Sequence, residues 1–229
     1  TPRSLSLIDF RPDNGLVVHA ASIDLAPSGG IDGCRLPEGQ LIHLADWVPG
    51  QRSHLLPSGM AQRLPSRATI VLRIDYRGKD GPTTDRSHLG LYFAKDQVSH
   101  RIERRTIRTT LPARGPRIAV DQVLREERQI VAIRPLIPSG ADSLEARLIQ
   151  PDGSSEVLIF SRNFRFDWRP TYHFRIPRPA PAGSRISITA YTASSNSPVL
   201  CQIVTARAVD PAPTSTSNVN IRRQAGRSR

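Results

Sequence analysis

This sequence has few of several residue types on which common protein architectures depend. Its 229 residues include two cysteines, one methionine and two lysines, Lys79 and Lys95. Cys34 and Cys201 are too few for a disulfide framework and too far apart for a structural zinc site. Either two buried free thiols or one long-range bridge fits them, and free thiols are preferred. No run of about 18 apolar residues occurs, which excludes a transmembrane helix.

The charge of the chain is strongly one-sided. The formal net charge is +12, and arginine supplies almost all of the positive charge. Such an excess favours an anionic partner, namely an acidic protein face, anionic lipid head groups or nucleic acid. The plainer alternative is an arginine-rich genome combined with selection for solubility. Nucleic acid is the weakest of the partners, because aromatic residues make up only 5% and no base-stacking motif lies among the arginines.

The hydrophobic pattern predicts β-strands almost throughout. Short apolar or alternating runs are separated by turn signals such as Pro12-Asp13-Asn14-Gly15 and Pro151-Asp152-Gly153. Many short strands at fairly regular spacing are typical of antiparallel sandwiches. Val120–Arg128, the one segment with some helical character, is interpreted as a strand and a turn. The predicted strands include Leu5–Phe10, Leu16–Ile23, Thr69–Tyr76, Leu89–Phe93, Ile130–Ile133, Leu144–Ile149, Val157–Ser161, Thr171–Ile176 and Arg185–Tyr191.

These patterns predict an all-β protein with two antiparallel, jelly-roll-like β-sandwich domains in tandem. The first domain covers residues 1–98 and the second 99–209, with the boundary in a polar, basic stretch that is itself a candidate strand. Residues 210–229 form a basic tail that cannot bury enough apolar area to fold alone, so it is either disordered or bound to a partner. The candidate interaction residues are the arginines of these two segments: Arg101, Arg104, Arg105, Arg108, Arg222, Arg223, Arg227 and Arg229.

A series of short motifs occurs in order between residues 9 and 200. They are Phe10-Arg11-Pro12, Val17-Val18-His19, Trp47-Val48-Pro49-Gly50, Val71–Tyr76, Gly90–Ala94, Pro151-Asp152-Gly153, Phe164–Trp168 and Pro181–Ile186. Together they resemble the copper type II, ascorbate-dependent monooxygenase family, which includes peptidylglycine alpha-hydroxylating monooxygenase. The resemblance implies two β-sandwich domains with one copper each, which face each other across a solvent-filled cleft.

The resemblance also implies copper ligands, and this sequence lacks nearly all of them. In the first domain, His19 matches one of three family histidines, whereas Ala20 and Asp75 stand at the other two. In the second domain, Leu136 and Pro138 stand where the family has a His-x-His pair, and no methionine follows them. One imidazole and one carboxylate make an incomplete site for redox copper. We therefore expect no catalysis and no cofactor. His19 either fills the space of the lost site or forms a hydrogen bond with Asp75, if their strands still meet.

The remaining histidines do not suggest a second site. His43, His54, His88, His100 and His173 show no spacing typical of metal ligation, and we expect surface or hydrogen-bonded structural roles for them.

The sequence therefore predicts a fold whose chemistry has been lost. The preferred hypothesis is a non-catalytic accessory subunit of a larger assembly, in the periplasm or another extracytoplasmic space. It would dock through arginines on protein subunits or on an anionic membrane surface, and a redox or photosynthetic complex is a candidate host. Two alternatives stay open: a copper-binding, monooxygenase-related protein with residual activity, and a nucleic-acid-binding protein.

Overall fold

The computed structural model describes residues 2–26, 41–78, 81–108, 117–136, 141–163, 169–192 and 200–209. All of the regular secondary structure in these ranges is β-strand, which confirms the all-β prediction. With no helix in them, the described residues also contain none that is long and apolar enough to cross a bilayer.

Fourteen strands occur within the described residues. They are β1 (Arg3–Arg11), β2 (Val18–Ala26), β3 (Ile42–Trp47), β4 (Met60–Leu64), β5 (Thr69–Tyr76), β6 (His88–Phe93), β7 (His100–Arg108), β8 (Arg117–Val123), β9 (Arg128–Leu136), β10 (Ala141–Ile149), β11 (Ser155–Arg162), β12 (Tyr172–Ala180), β13 (Arg185–Thr192) and β14 (Leu200–Ala208).

The strands form three sheets. The largest has the order β12-β9-β14-β7-β4-β1-β6, and two smaller ones have the orders β11-β10-β13-β8 and β3-β2-β5. The pairing between β4 and β7 is parallel and short, with Met60 opposite His100 and Ala61 opposite Arg101. All other strand pairs are antiparallel. The large sheet therefore runs through both halves of the chain and is joined at its middle by this parallel contact.

Two apolar cores lie on this sheet. One is built from β1, β2 and β3 and includes Leu5, Ile23 and Leu44. The other is built mainly from β9, β10, β13 and β14 and includes Ile133 and Leu148. Each core lies between two facing sheets, as in a β-sandwich.

A third, smaller cluster fills the region where the two halves meet. Its buried members are Met60, Ile102, Val131, Ala132, Val204 and Ala206, with Leu56 packed against them. Strands β9 and β14 thus contribute side chains both to the second core and to this junction cluster. Because both faces of these strands are covered, buried residues follow one another without alternation, from Ile130 to Ile133 in β9 and from Cys201 to Ala206 in β14.

Several details of the predicted organisation can be compared with this fold. The interpretation of Val120–Arg128 as strand and turn is confirmed, since β8 ends at Val123 and β9 starts at Arg128. The basic stretch after residue 98 forms a strand, β7. The division into domains 1–98 and 99–209 stays a prediction. The tail, residues 210–229, lies outside the described residues, as does Cys34.

Candidate functional site

The junction between the two halves contains a network of buried charges centred on Asp46. This carboxylate lies near the end of β3, and its side chain is only 4% exposed. It accepts from Arg134 Nη2 of β9 at 2.5 Å, from the His43 ring at 2.9 Å and from Thr171 Oγ1 at 3.2 Å. Because Arg134 and Thr171 belong to the second half of the chain, Asp46 joins the two halves through charge-assisted hydrogen bonds.

His43 extends the network to a second carboxylate. Its Nδ1 lies 2.9 Å from Asp24 Oδ1, while its Nε2 lies 2.9 Å from Asp46 Oδ2. Asp24 also accepts from Ser22 Oγ at 3.0 Å and lies 3.9 Å from the guanidinium of Arg73. Burial alone raises the pKa of Asp24, but the hydrogen bond and charge of His43, with Ser22 and Arg73, outweigh it, so this pKa lies below its ordinary value.

Arg104 of β7 turns into the same junction. Its guanidinium donates to Gln62 Oε1 and to the carbonyl oxygen of Leu44. Burial lowers the pKa of Arg104 to about 10; the charge of Asp46 raises it and that of Arg134 lowers it further. The group stays cationic at neutral pH. Arg104 is thus an internal contact between β7, β4 and β3, and not part of an exposed arginine row.

Two stacked histidines lie beside this network. The rings of His54 and His173 are 4.0 Å apart between centroids and inclined by 21°. They line a cavity of about 80 Å³ together with Gln51. His54 Nε2, His173 Nδ1 and Gln51 Oε1 are buried and lack a hydrogen-bond partner. Burial lowers the pKa of both histidines, that of His173 to about 3 with further contributions from His54 and Arg104.

The stacked geometry decides what the His54–His173 pair can bind. A metal ion lies in the plane of each imidazole that ligates it, and two nearly parallel rings at this separation do not share such a point. A space of 80 Å³ with three polar atoms is instead suited to ordered water, which takes about 30 Å³ per molecule. Within the described residues, no group of three or more His, Cys, Asp or Glu side chains could hold a metal ion.

The contacts of His43 occupy both of its ring nitrogens. A histidine that acts as general base needs one ring nitrogen oriented by an acceptor and the other facing a nucleophile or substrate. Both nitrogens of His43 face carboxylates, and the nearby Ser22 hydroxyl donates to Asp24. The imidazole therefore has no position from which to activate a nucleophile.

The positions expected from the copper-site resemblance lie in two places. His19, Ala20 and Asp75 line a second cavity, of about 390 Å³, next to the junction. Leu136 lies at the end of β9, opposite Leu200 of β14. Pro138 lies outside the described residues.

The expected His19–Asp75 hydrogen bond is wrong. Strands β2 and β5 do meet, but the residue opposite Asp75 is Ala20, and the register shifts between Val18 and Ala20. Neither a hydrogen bond nor an ion pair joins the described side chains of His19 and Asp75. A shift of this kind changes which side chains lie opposite each other. The two strands therefore pair without joining His19 to Asp75.

The candidate interaction arginines differ in their exposure to solvent. Arg105 and Arg108 of β7 are exposed and Arg101 is part-buried. None of these three described side chains forms an ion pair. Arg222, Arg223, Arg227 and Arg229 lie outside the described residues.

The junction residues were not identified from the sequence. Asp24, His43, Asp46, Arg134 and Thr171 are separated by up to 147 positions and come together only through tertiary structure. One local signal was present: Asp24 directly follows the predicted strand Leu16–Ile23 and lies between two apolar residues, Ile23 and Leu25. An ionisable residue within an apolar strand is expected to have a buried partner.

No family model matches the sequence, and no curated protein matches it. Solved structures give weak similarities to viral capsid proteins. The major capsid protein P2 of bacteriophage PM2 has a TM-score of 0.37 at 10% identity, covering 91% of this chain and 89% of that one. The infectious bursal disease virus Gx strain structure has a TM-score of 0.27 at 12% identity, covering 90% and 56%. The VP2 subviral particle of that virus has a TM-score of 0.24 at 14% identity, covering 89% and 57%. At these scores none of them bears on function.

Proposed function

We propose that this chain is a non-catalytic accessory subunit of a larger, membrane-associated assembly in the periplasm or another extracytoplasmic space. The proposed host is a redox or photosynthetic complex. The single observation that carries the non-catalytic part is the pairing of the junction groups. His43 is held between Asp24 and Asp46, and Asp46 is held by Arg134. These contacts hold His43 and Asp46 in place and leave neither ring nitrogen of His43 facing a nucleophile, which supports a structural role for the junction.

The docking part of the proposal rests on the arginines that the junction does not use. Arg105 and Arg108 are exposed on β7, in a chain with a net charge of +12. A planar guanidinium in solvent is suited to bidentate contact with carboxylates, so the proposed partner surface is an acidic protein face. Such contacts act mainly on the association rate and are weakened by salt.

The test is the size of the particle that contains this chain after gentle extraction of its native envelope. We expect it to migrate well above the size of one chain at low salt and to be released as salt is raised. The double variant Arg105→Gln/Arg108→Gln should be released at lower salt. Arg147→Gln/Arg185→Gln is the matched control, because it also removes two positive charges and both arginines already pair with carboxylates, Glu145 and Asp121.

Two results would overturn the proposal. One is recovery of the wild-type chain only as a monomer under the gentlest extraction. The other is equal salt sensitivity of the double variant and the wild type. If the chain floats with anionic vesicles but does not associate with envelope proteins, its partner is a lipid surface and not a protein. Stoichiometric copper in the purified protein would support the copper-binding, monooxygenase-related alternative. Nucleic-acid affinity at low salt would support the nucleic-acid-binding alternative.

A further inference from the structure

Strand β6 is an open sheet edge that lacks the residues by which such edges are usually protected. In the described part of the chain, β3, β5, β6, β8, β11 and β12 form the edges of the three sheets. Five of them contain a charged residue or a proline, for example Asp46 in β3, Arg73 in β5, Asp121 in β8, Glu156 in β11 and Pro177 in β12. Strand β6 has no Asp, Glu, Lys, Arg or Pro. Since charges and prolines on an edge oppose pairing with another chain, β6 carries no such barrier.

The geometry of β6 is also regular. Among the described strands it pairs only with β1, and the shift in that pairing lies at Ser6, so the extra residue belongs to β1 and β6 has no bulge. Its core face consists of apolar side chains that pack against the first core, namely Leu89, Leu91 and Phe93. On the other face, Tyr92 is 49% exposed. A strand added at this edge would therefore continue both faces of the sheet.

The sequence of β6 is complementary to itself about Leu91. When two copies of β6 pair antiparallel with a two-fold axis at Leu91, Leu89 of one copy lies opposite Phe93 of the other. The apolar core face then continues from one copy into the next. On the outer face, Tyr92 lies opposite Gly90 of the second copy, which has no side chain to obstruct the ring.

The charges beyond the two ends of β6 fit the same register. Arg86 precedes Leu91 by five residues and Asp96 follows it by five, so the axis brings Arg86 of each copy opposite Asp96 of the other. Both residues are exposed, and neither forms an ion pair with another described side chain. Lys95 lies opposite Ser87 in this register and not opposite a cation. Two ion pairs of opposite sign therefore flank the uncharged strands.

We propose that β6 is a self-association edge, at which two copies of this chain pair antiparallel about a two-fold axis at Leu91. The contact is closed, because each copy uses the same edge and leaves none for a third. The net charge of +12 on each chain opposes association at long range, but salt of about 0.15 M screens charges beyond about 8 Å and affects close pairs less. One short strand from each copy makes a small interface, so the dimer is weak.

Sedimentation equilibrium of the purified full chain tests the edge, from about 10 µM to about 500 µM protein in about 0.15 M salt. We expect a reversible equilibrium between monomer and dimer. Tyr92→Lys places a cation on the edge and should weaken the dimer by at least about tenfold. Arg86→Asp replaces two attractive contacts by two repulsive ones and should weaken it about tenfold. Arg86→Asp/Asp96→Arg exchanges the charges and should restore most of the affinity.

Arg125→Asp is the matched control, because it makes the same change of charge in the exposed turn between β8 and β9 and should not weaken the dimer. Circular dichroism and the unfolding midpoint of each variant verify that the fold is intact. A chain that stays monomeric at every concentration overturns the proposal, and so does a dimer that Tyr92→Lys leaves unchanged. A double variant no stronger than Arg86→Asp overturns the register at Leu91.

The test also distinguishes a second copy from another protein as the occupant of this edge. If the chain is monomeric throughout and Tyr92→Lys instead prevents its recovery with envelope proteins, β6 accepts a strand of another protein and the two-fold pairing is wrong. The outcome is separate from that of the accessory-subunit proposal, because self-association is measured on the purified chain alone. Docking depends on Arg105 and Arg108 of β7 and is measured on envelope extracts.

Discussion

Arg134 Nη2 and Asp46 Oδ1 lie 2.5 Å apart and form an ion pair between β9 and β3, with side chains 16% and 4% exposed. Removing one partner of a buried pair leaves the other charge without compensation, which commonly costs 3–5 kcal/mol. We therefore expect Asp46→Asn to lower the free energy of unfolding by about 3 kcal/mol or more, measured by urea denaturation. Asp121→Asn is the control: its pair with Arg185 is about half exposed on both sides and should contribute less than about 1 kcal/mol. Equal, small losses in both variants would show that the junction pair is not a structural link.

The stacked pair His54–His173 predicts that acid destabilises the fold. Burial lowers the pKa of both imidazoles in the folded state, that of His173 to about 3, while the unfolded value is about 6.5. The unfolded chain therefore binds more protons below pH 6.5. Stability is complete above pH 6.5 and falls as the pH decreases from 6.5 toward 3, by up to about 1.4 kcal/mol per pH unit for His173; the half-buried His54 acts in the same direction.

Urea unfolding at several pH values between 7.5 and 4.5 measures this slope. The range stops at 4.5 because the stability contributed by Asp24, whose pKa is also lowered, is lost only at lower pH. The variant His173→Phe keeps a ring against His54 and should show a clearly shallower slope. A slope that is unchanged in this variant would assign the acid sensitivity to other groups.

The sequence predicts some strands with the correct bounds and misses others. Thr69–Tyr76 was predicted with the bounds that β5 has, since Ile70-Val71-Leu72 and Ile74 form a short, largely apolar run of residues that favour strands. Strand β14 was missed: six consecutive residues from Cys201 to Ala206 are buried, because β14 lies between β9 and β7 with both faces covered. Gln202 and Thr205 also interrupt the apolar residues of this run, so its sequence lacks the period of two that identifies a strand.

The site is harder to predict than the strands. His43 and Asp46 lie in β3, a short strand that was not predicted, and their partner Arg134 is contributed by β9. No spacing rule connects residues that meet only through the packing of two halves of a chain. Likewise, Arg104 resembles its neighbours Arg101, Arg105 and Arg108 in sequence, but only the packing of β7 against β4 shows that it is internal.

Cys201 is predicted to be inert in the native protein. Its thiol is free and fully buried in the second core, and burial raises its pKa well above the ordinary value. The thiolate is the reactive form, so modification requires opening of the core. In a Cys34→Ser background, an aromatic disulfide reagent should label only a small fraction of Cys201 in native buffer. In denaturant it should label all of it. Rapid, complete labelling of the native protein would contradict this burial.

Gly59 sets the start of β7 and is predicted to tolerate no side chain. Its φ is +76°, and an added Cβ would lie 2.5 Å from Ser99 Oγ. Its carbonyl oxygen accepts from the backbone N–H of Ser99 and of His100, both at 2.9 Å, which holds β7 beside β4. Gly59→Ala should therefore cost the left-handed backbone penalty of about 1–2 kcal/mol, plus about 1 kcal/mol for turning the Ser99 hydroxyl away from its bond to the Gly59 carbonyl oxygen.

Gly50 provides a matched control for the two penalties. Its φ is +86°, but no atom lies within 4 Å of an added Cβ. Gly50→Ala should show only the backbone penalty in urea unfolding, so the difference between the two variants measures the contact with Ser99. Ser99→Ala in the Gly59→Ala background removes the Oγ atom and should recover part of that difference. If Gly59→Ala and Gly50→Ala are equally destabilised, Ser99 yields without cost and does not fix the parallel contact between β4 and β7.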